Sequence, residues 1–202
     1  FLGILPLFLM KSFKMKGFQT LFIQPFVGLI FFASIFEFIA FKQQWETIYW
    51  FRFFILIDFL VVFYFYYFAL NKRFKLFFYS SFFGFLVLYM YLLTIWNAGE
   101  SAKTDFYLTT FETLFVFIAS ILWFITVFSE LKETSLLHAP NYYFVAGFIL
   151  YYSGTFFLFL VSDFMIKNME SDFLSYWNAN ILFNVLLRTL LIIGIWKARK
   201  KL

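Results

Sequence analysis

Cysteine is absent from this 202-residue chain, and histidine occurs once, at His138. The first absence removes disulfides, thiolate catalysis and cysteine-ligated clusters, while leaving the redox compartment open. The second removes a bis-histidine haem and a histidine-rich zinc site. Charge is scarce as well: 13% of residues are charged against 64% hydrophobic, so few groups are left for chemistry. No cofactor is expected. The net charge of +5 resides in basic residues at the ends of apolar runs rather than in a patch, which points to lipid head groups and away from nucleic acid.

What is abundant is apolar sequence. Six runs of about 20 residues are separated by short polar linkers, and about 20 helical residues cross a bilayer core of about 30 Å. The runs are continuous rather than alternating, which excludes an outer-membrane barrel. An all-α integral membrane bundle follows, because backbone polar groups in lipid must be satisfied within each segment. The spans are expected at residues 21–41, 48–70, 76–96, 106–129, 142–166 and 174–196. No linker has room for a soluble domain, so residues 1–202 read as one transmembrane domain with antiparallel neighbours. None of the spans contains a Lys, which excludes the Schiff base of a retinal photoreceptor.

Orientation follows from the basic residues. Lys11, Lys14, Lys16, Lys72, Arg73, Lys75, Lys132, Lys197, Arg199, Lys200 and Lys201 fall on one side, against Lys42, Lys103 and Lys167 on the other. The bias puts the Lys11 segment and the C-terminus in the cytoplasm of a bacterial inner membrane. Trp45, Trp50, Trp96, Trp177 and Trp196 fall near span ends, and Trp123 lies deeper. The 38 Phe and 13 Tyr read as apolar aromatic side chains in lipid-facing positions. The chain begins with Phe1 rather than Met, so an upstream segment is expected. Residues 1–10 are apolar but too short to cross, and read as the end of a seventh helix, an interfacial segment or part of a signal region.

An ionisable side chain at mid-membrane costs about 2.5–3.5 kcal/mol on insertion scales, which makes each one a functional candidate. The candidates are Glu37, Arg52, Asp58, Glu112, Asp163 and Arg188. At 1.5 Å per residue from the cytoplasmic ends, Arg188 lies about 13 Å deep, Asp58 about 20 Å, and Glu37 and Glu112 about 25 Å. Arg52 lies about 28 Å deep and Asp163 about 33 Å. In the last span, Asn180, Asn184 and Arg188 recur every fourth residue, within about 80° on one face. The nearest mate for Arg188 by depth is Asp58, since an arginine stem reaches across most of the difference. Thr109, Glu112, Thr113 and Ser120 form a second stripe, and two facing stripes would make a polar core.

Three readings of these residues stay open. Polar groups glue membrane helices together; they also line water-filled cavities that hold a polar or cationic ligand, or do catalysis. Gly147 and Gly154, with Ala146 and Ser153 beside them, read as a close-packing face. His138 precedes Pro140 and Asn141, a helix-start signal, and reads as a loop residue.

The stretches FRFFILIDFLVVFYFYY (51–67), NYYFVAGFILYYSGTFFLFLVSD (141–163) and YWNANILFNVLLRTLLIIGIW (176–196) resemble small multi-span membrane proteins of Bacteroidota. Members of that group look like companions of membrane signalling proteins, so the resemblance implies a sensory or accessory module with another membrane protein as partner. SGTFFLFLVSD (153–163) is also similar to a late-helix pattern of YhhN-type lysoplasmalogenase-like hydrolases. That likeness implies Asp163 and Asp58 as two catalytic aspartates, although Ile57 stands where the family has Gly and the chain is shorter by a helix or more. A transporter is the further alternative, without the paired broken helices that mark many carriers. The expectation is a non-enzymatic sensory module or accessory subunit with an outward polar core of Asp58, Glu112, Asn180, Asn184, Arg188 and Glu37, and no metal.

Overall fold

A computed structural model describes residues 3–12, 22–97, 101–130, 136–168 and 173–199, with the side chains of 101–103, 130, 159, 161–168 and 173–177 outside that description. The described residues form helices α1 (Leu5–Ser12), α2 (Gln24–Gln43), α3 (Ile48–Ala69), α4 (Lys75–Thr94), α5 (Ser101–Glu130), α6 (Pro140–Asn168) and α7 (Phe173–Arg199). A single 3-10 turn at Leu136–His138 precedes α6. Among the described residues, five stretches are long and apolar enough to cross a bilayer: Gln24–Gln43, Ile48–Ala69, Lys75–Thr94, Thr104–Ser129 and Asn178–Arg199. That composition, in an all-helical chain, fits a membrane-embedded, multi-pass protein.

Local chemistry sets the helix ends. Pro25 opens α2, where a missing N–H costs nothing, and Gln44 closes it in the left-handed region at φ 53°, its N–H returning to the Ala40 carbonyl. Asn71, Lys72 and Phe74 all carry positive φ, which folds the α3–α4 connection into a few residues. Pro140 opens α6, as its sequence signal predicts, and His138 is exposed in the turn before it.

Six of the helices close a ring: α1 packs on α2, α2 on α3, α3 on α5, α5 on α6, α6 on α7, and α7 back on α1. The seventh, α4, lies against α3 and α5. Ring contacts fix the directions. Phe36 stacks on Trp50 near one end of the α2–α3 pair and Phe22 on Phe68 near the other, so these helices are antiparallel. In contrast, α3 and α5 run parallel, with Arg52 against Asp105 and Tyr66 against Ser120. Their shared direction gives the bundle one end carrying Lys72 and Arg199, called here the basic end, and an opposite end carrying Arg52 and Trp96.

Glycines set the tightest pair. A Cβ on Gly154 would run into the Phe183 ring, one on Gly194 into Phe144, and one on Gly147 would lie 3.2 Å from Leu187. Small residues let α6 and α7 approach this closely, which lipid-embedded helices need because lipid solvates apolar side chains as well as protein does. The aromatic residues divide in a way that composition alone does not reveal. Phe32, Phe38, Phe41 and Phe83 are exposed on the outside of the bundle, whereas Phe26, Phe59, Phe65, Phe78, Phe85, Phe144 and Phe148 are fully buried. The interior rings interlock, with Phe59 stacked on Phe85 at 3.8 Å and Phe26 edge-on to Phe148 at 4.7 Å. Between α2 and α6 the latter contact fills the ring toward the basic end.

Candidate functional site

The surface is apolar and part of the interior is polar, an inversion that lipid imposes. Asp58, Glu112, Thr113 and Ser120 are buried among the core rings. On α3 the buried face runs through Asp58, Val62, Phe65 and Tyr66, one helical stripe that points the carboxylate inward. On α5 the stripe Thr109, Glu112, Thr113 and Ser120 is buried throughout.

One tyrosine on α6, Tyr152, links the two stripes. Tyr152 donates its hydroxyl to Asp58 Oδ2 at 2.7 Å, and Glu112 Oε1 lies 3.4 Å from the same hydroxyl. One phenolic proton serves two carboxyl groups, and the distances assign it to Asp58. Thr113 donates to the Tyr152 carbonyl at 3.4 Å, and Tyr66 shares a 2.7 Å hydrogen bond with Ser120 one level nearer the basic end. Three helices therefore meet at one buried hydroxyl.

Arg188 stands elsewhere. Its Nη2 donates to Ser34 on α2 at 3.3 Å, its Nε is buried without a partner, and Nη1 approaches Gly3 ahead of α1. Asp58 and Arg188 form no ion pair, contrary to the pairing that depth alone suggests. The reason is the helix order: Arg188 on α7 faces α1 and α2, whereas Asp58 on α3 faces α5 and α6. The two polar stripes likewise do not face each other directly, because α6 stands between α5 and α7.

The remaining expected residues separate. Asn184 donates its amide to the Asn180 carbonyl at 3.0 Å and to its side-chain oxygen at 3.2 Å, so this pair satisfies itself along α7. Glu37 is exposed on the outer face of α2, within Coulombic reach of Arg188. The Asp163 side chain lies outside the described residues, as do Lys14, Lys16, Lys132, Lys200 and Lys201 of the basic count and the Trp177 side chain. Among the described residues no group of three or more His, Cys, Asp or Glu stands together to hold a metal.

Two contributors escape sequence reasoning. Asp105 falls in the expected 97–105 linker, yet α5 begins at Ser101 and carries it as a helical residue. There it forms an ion pair with α3, Arg52 Nη1 to Asp105 Oδ1 at 2.7 Å. Tyr152 is one of 13 tyrosines, and nothing in the apolar run around it marks it as the bridge.

Fold and site together define a class, a multi-pass helical membrane protein with a buried carboxyl–tyrosine layer between α3, α5 and α6. Comparison narrows it no further: no family model, curated protein or solved structure matches the chain.

Proposed function

We propose that the chain acts by binding, as a sensory module or an accessory subunit of a larger complex in a bacterial inner membrane. In this reading it crosses six times, α6 being the additional span, and its basic end is cytoplasmic. Its partners are lipid and another membrane protein. The observation that carries the reading is the Tyr152 hydroxyl held between Asp58 and Glu112. Two acids at that depth are retained at a cost, and groups so retained mark ligand, proton or ion sites in membrane bundles.

The chemistry available there is the uptake of one proton or one small cation. A proton or cation taken up at Asp58 relieves the mutual repulsion of the two carboxyl groups and frees the Tyr152 hydroxyl, its own proton retained, to donate to Glu112 instead. The exchange alters the spacing of α3, α5 and α6, and α7 follows through its close glycine packing on α6. The ends of these helices at the basic side then shift against a partner.

The test uses purified protein in mild detergent. Thermal unfolding is followed as proton, Na⁺ and K⁺ concentrations vary at constant ionic strength, in wild type and Asp58→Asn. Stabilisation by one of these ions, lost in the variant, supports the reading. Equal responses in both proteins sink it. Co-purification of a stoichiometric partner separates an accessory subunit from a free-standing sensor. The same acid pair favours one second reading, ion-coupled transport, which predicts flux into proteoliposomes that Glu112→Gln abolishes. Release of aldehyde from a lysolipid, lost in Asp163→Asn, would carry the hydrolase instead.

A further inference from the structure

Arg52 lies at the other end of α3 from Tyr66 and does not belong to the Tyr152 layer. Its side chain is 5% exposed, and only Nη1 is engaged, in the bond to Asp105. Nε and Nη2 are buried and have no hydrogen-bond partner. The Tyr89 ring covers the guanidinium at 5.3 Å, and the Tyr89 hydroxyl donates to the Arg52 carbonyl at 3.3 Å, so the group is held in place from α4. Nε and Nη2 form the planar fork that takes a carboxylate or phosphate through two parallel bonds. Asp105 occupies the one nitrogen outside that fork.

The neighbouring indoles repeat the pattern. Trp50 Nε1 and Trp96 Nε1 are also buried without partners, and Trp96 packs 5.2 Å from Tyr49, one turn before Arg52. Every unpartnered buried side-chain N or O atom at this end of the bundle, among the described residues, is thus an N–H donor. Unpaired donors in a dry interior are costly and rare in folded proteins, and what relieves them is an acceptor. Arg52 is about 6 Å from the start of α3, the depth at which tryptophans of a membrane belt meet head groups.

We propose that the Nε–Nη2 edge of Arg52 is an oxyanion site, taking the phosphate or carboxylate of a ligand at the opposite end from Lys72 and Arg199. Asp105 already balances the arginine charge, so recognition rests on the fork rather than on net charge. Lysine, a point charge without the fork, is then a poor substitute.

Full-length protein in mild detergent is titrated with inorganic phosphate, with acetate and with phosphatidylglycerol, followed by thermal unfolding and by native mass spectrometry. Wild type should bind at least one probe, and Arg52→Lys should weaken that binding by about tenfold or more while its unfolding temperature without probe stays close to wild type. Response to phosphate or acetate alone identifies a free anion; response to the lipid alone identifies a head group; either supports the site. The proposal is overturned if wild type binds none of the three, or if Arg52→Lys binds as wild type does. It is equally overturned if an experimental structure shows ordered water alone on the fork. Should Arg52→Lys fail to fold, the wild-type titration and the occupant of the fork still decide.

Discussion

Tyr152 on α6 and Asp58 on α3 are joined by a 2.7 Å hydrogen bond in which the phenol donates to the carboxyl oxygen. Both side chains are buried, so neither has water as an alternative partner. Removing the hydroxyl leaves Asp58 without its donor. Tyr152→Phe should therefore lower stability by about 1–2 kcal/mol, the upper part of the range for hydrogen bonds between membrane helices. Equilibrium unfolding in mixed micelles measures it, and an unchanged midpoint would show that the bond contributes nothing.

The same geometry separates two pairs that depth alone does not. A double-mutant cycle on Asp58→Asn and Tyr152→Phe should be non-additive by about 0.5–1.5 kcal/mol, because the residues touch. One on Asp58→Asn and Arg188→Met should add within about 0.5 kcal/mol, because Arg188 bonds Ser34 instead. Strong coupling in the second cycle would restore the Asp58–Arg188 pair that the structure does not contain.

Glycine substitutions probe the α6–α7 contact. Gly154→Ala and Gly194→Ala place a methyl against Phe183 and Phe144 and should cost about 1–3 kcal/mol. Gly28 on α2 has nothing within 4 Å of an added Cβ, so Gly28→Ala should be neutral or stabilising by up to about 1 kcal/mol through helix propensity. Equal effects at positions 28 and 154 would contradict the packing described.

Phe85 carries much of the attachment of α4. It stacks on Phe59 at 3.8 Å with an interplanar angle of 11° and is fully buried. Phe85→Ala should cost about 3 kcal/mol and raise hydrogen exchange in α4 before it does so in α6 and α7. Uniform exchange across the bundle would show that α4 is no more separable than the ring helices.

The apolar runs and their punctuation made the helices legible. Observed boundaries lie within a few residues of the expected spans, since a fixed bilayer thickness demands a fixed length and Pro140 marks its own helix start. The largest departure is at α5, which begins at Ser101 because Asp105 meets a buried arginine instead of water. Gly147 and Gly154 announced close packing before any partner helix was known. Individual acids and stripes were also visible, because charge in an apolar run needs no context to stand out.

Which helices are neighbours was not visible. A helix can rotate about its axis and stand anywhere in a bundle without changing its hydropathy, so depth is written in the sequence while azimuth is not. Length and polarity by themselves determined a chain of long apolar helices and picked out the acids set within them. Only the tertiary ring decided that Asp58 meets Tyr152, that Arg188 turns to Ser34, and that Arg52 keeps two nitrogens free, because each depends on side chains from helices distant in sequence closing around one point.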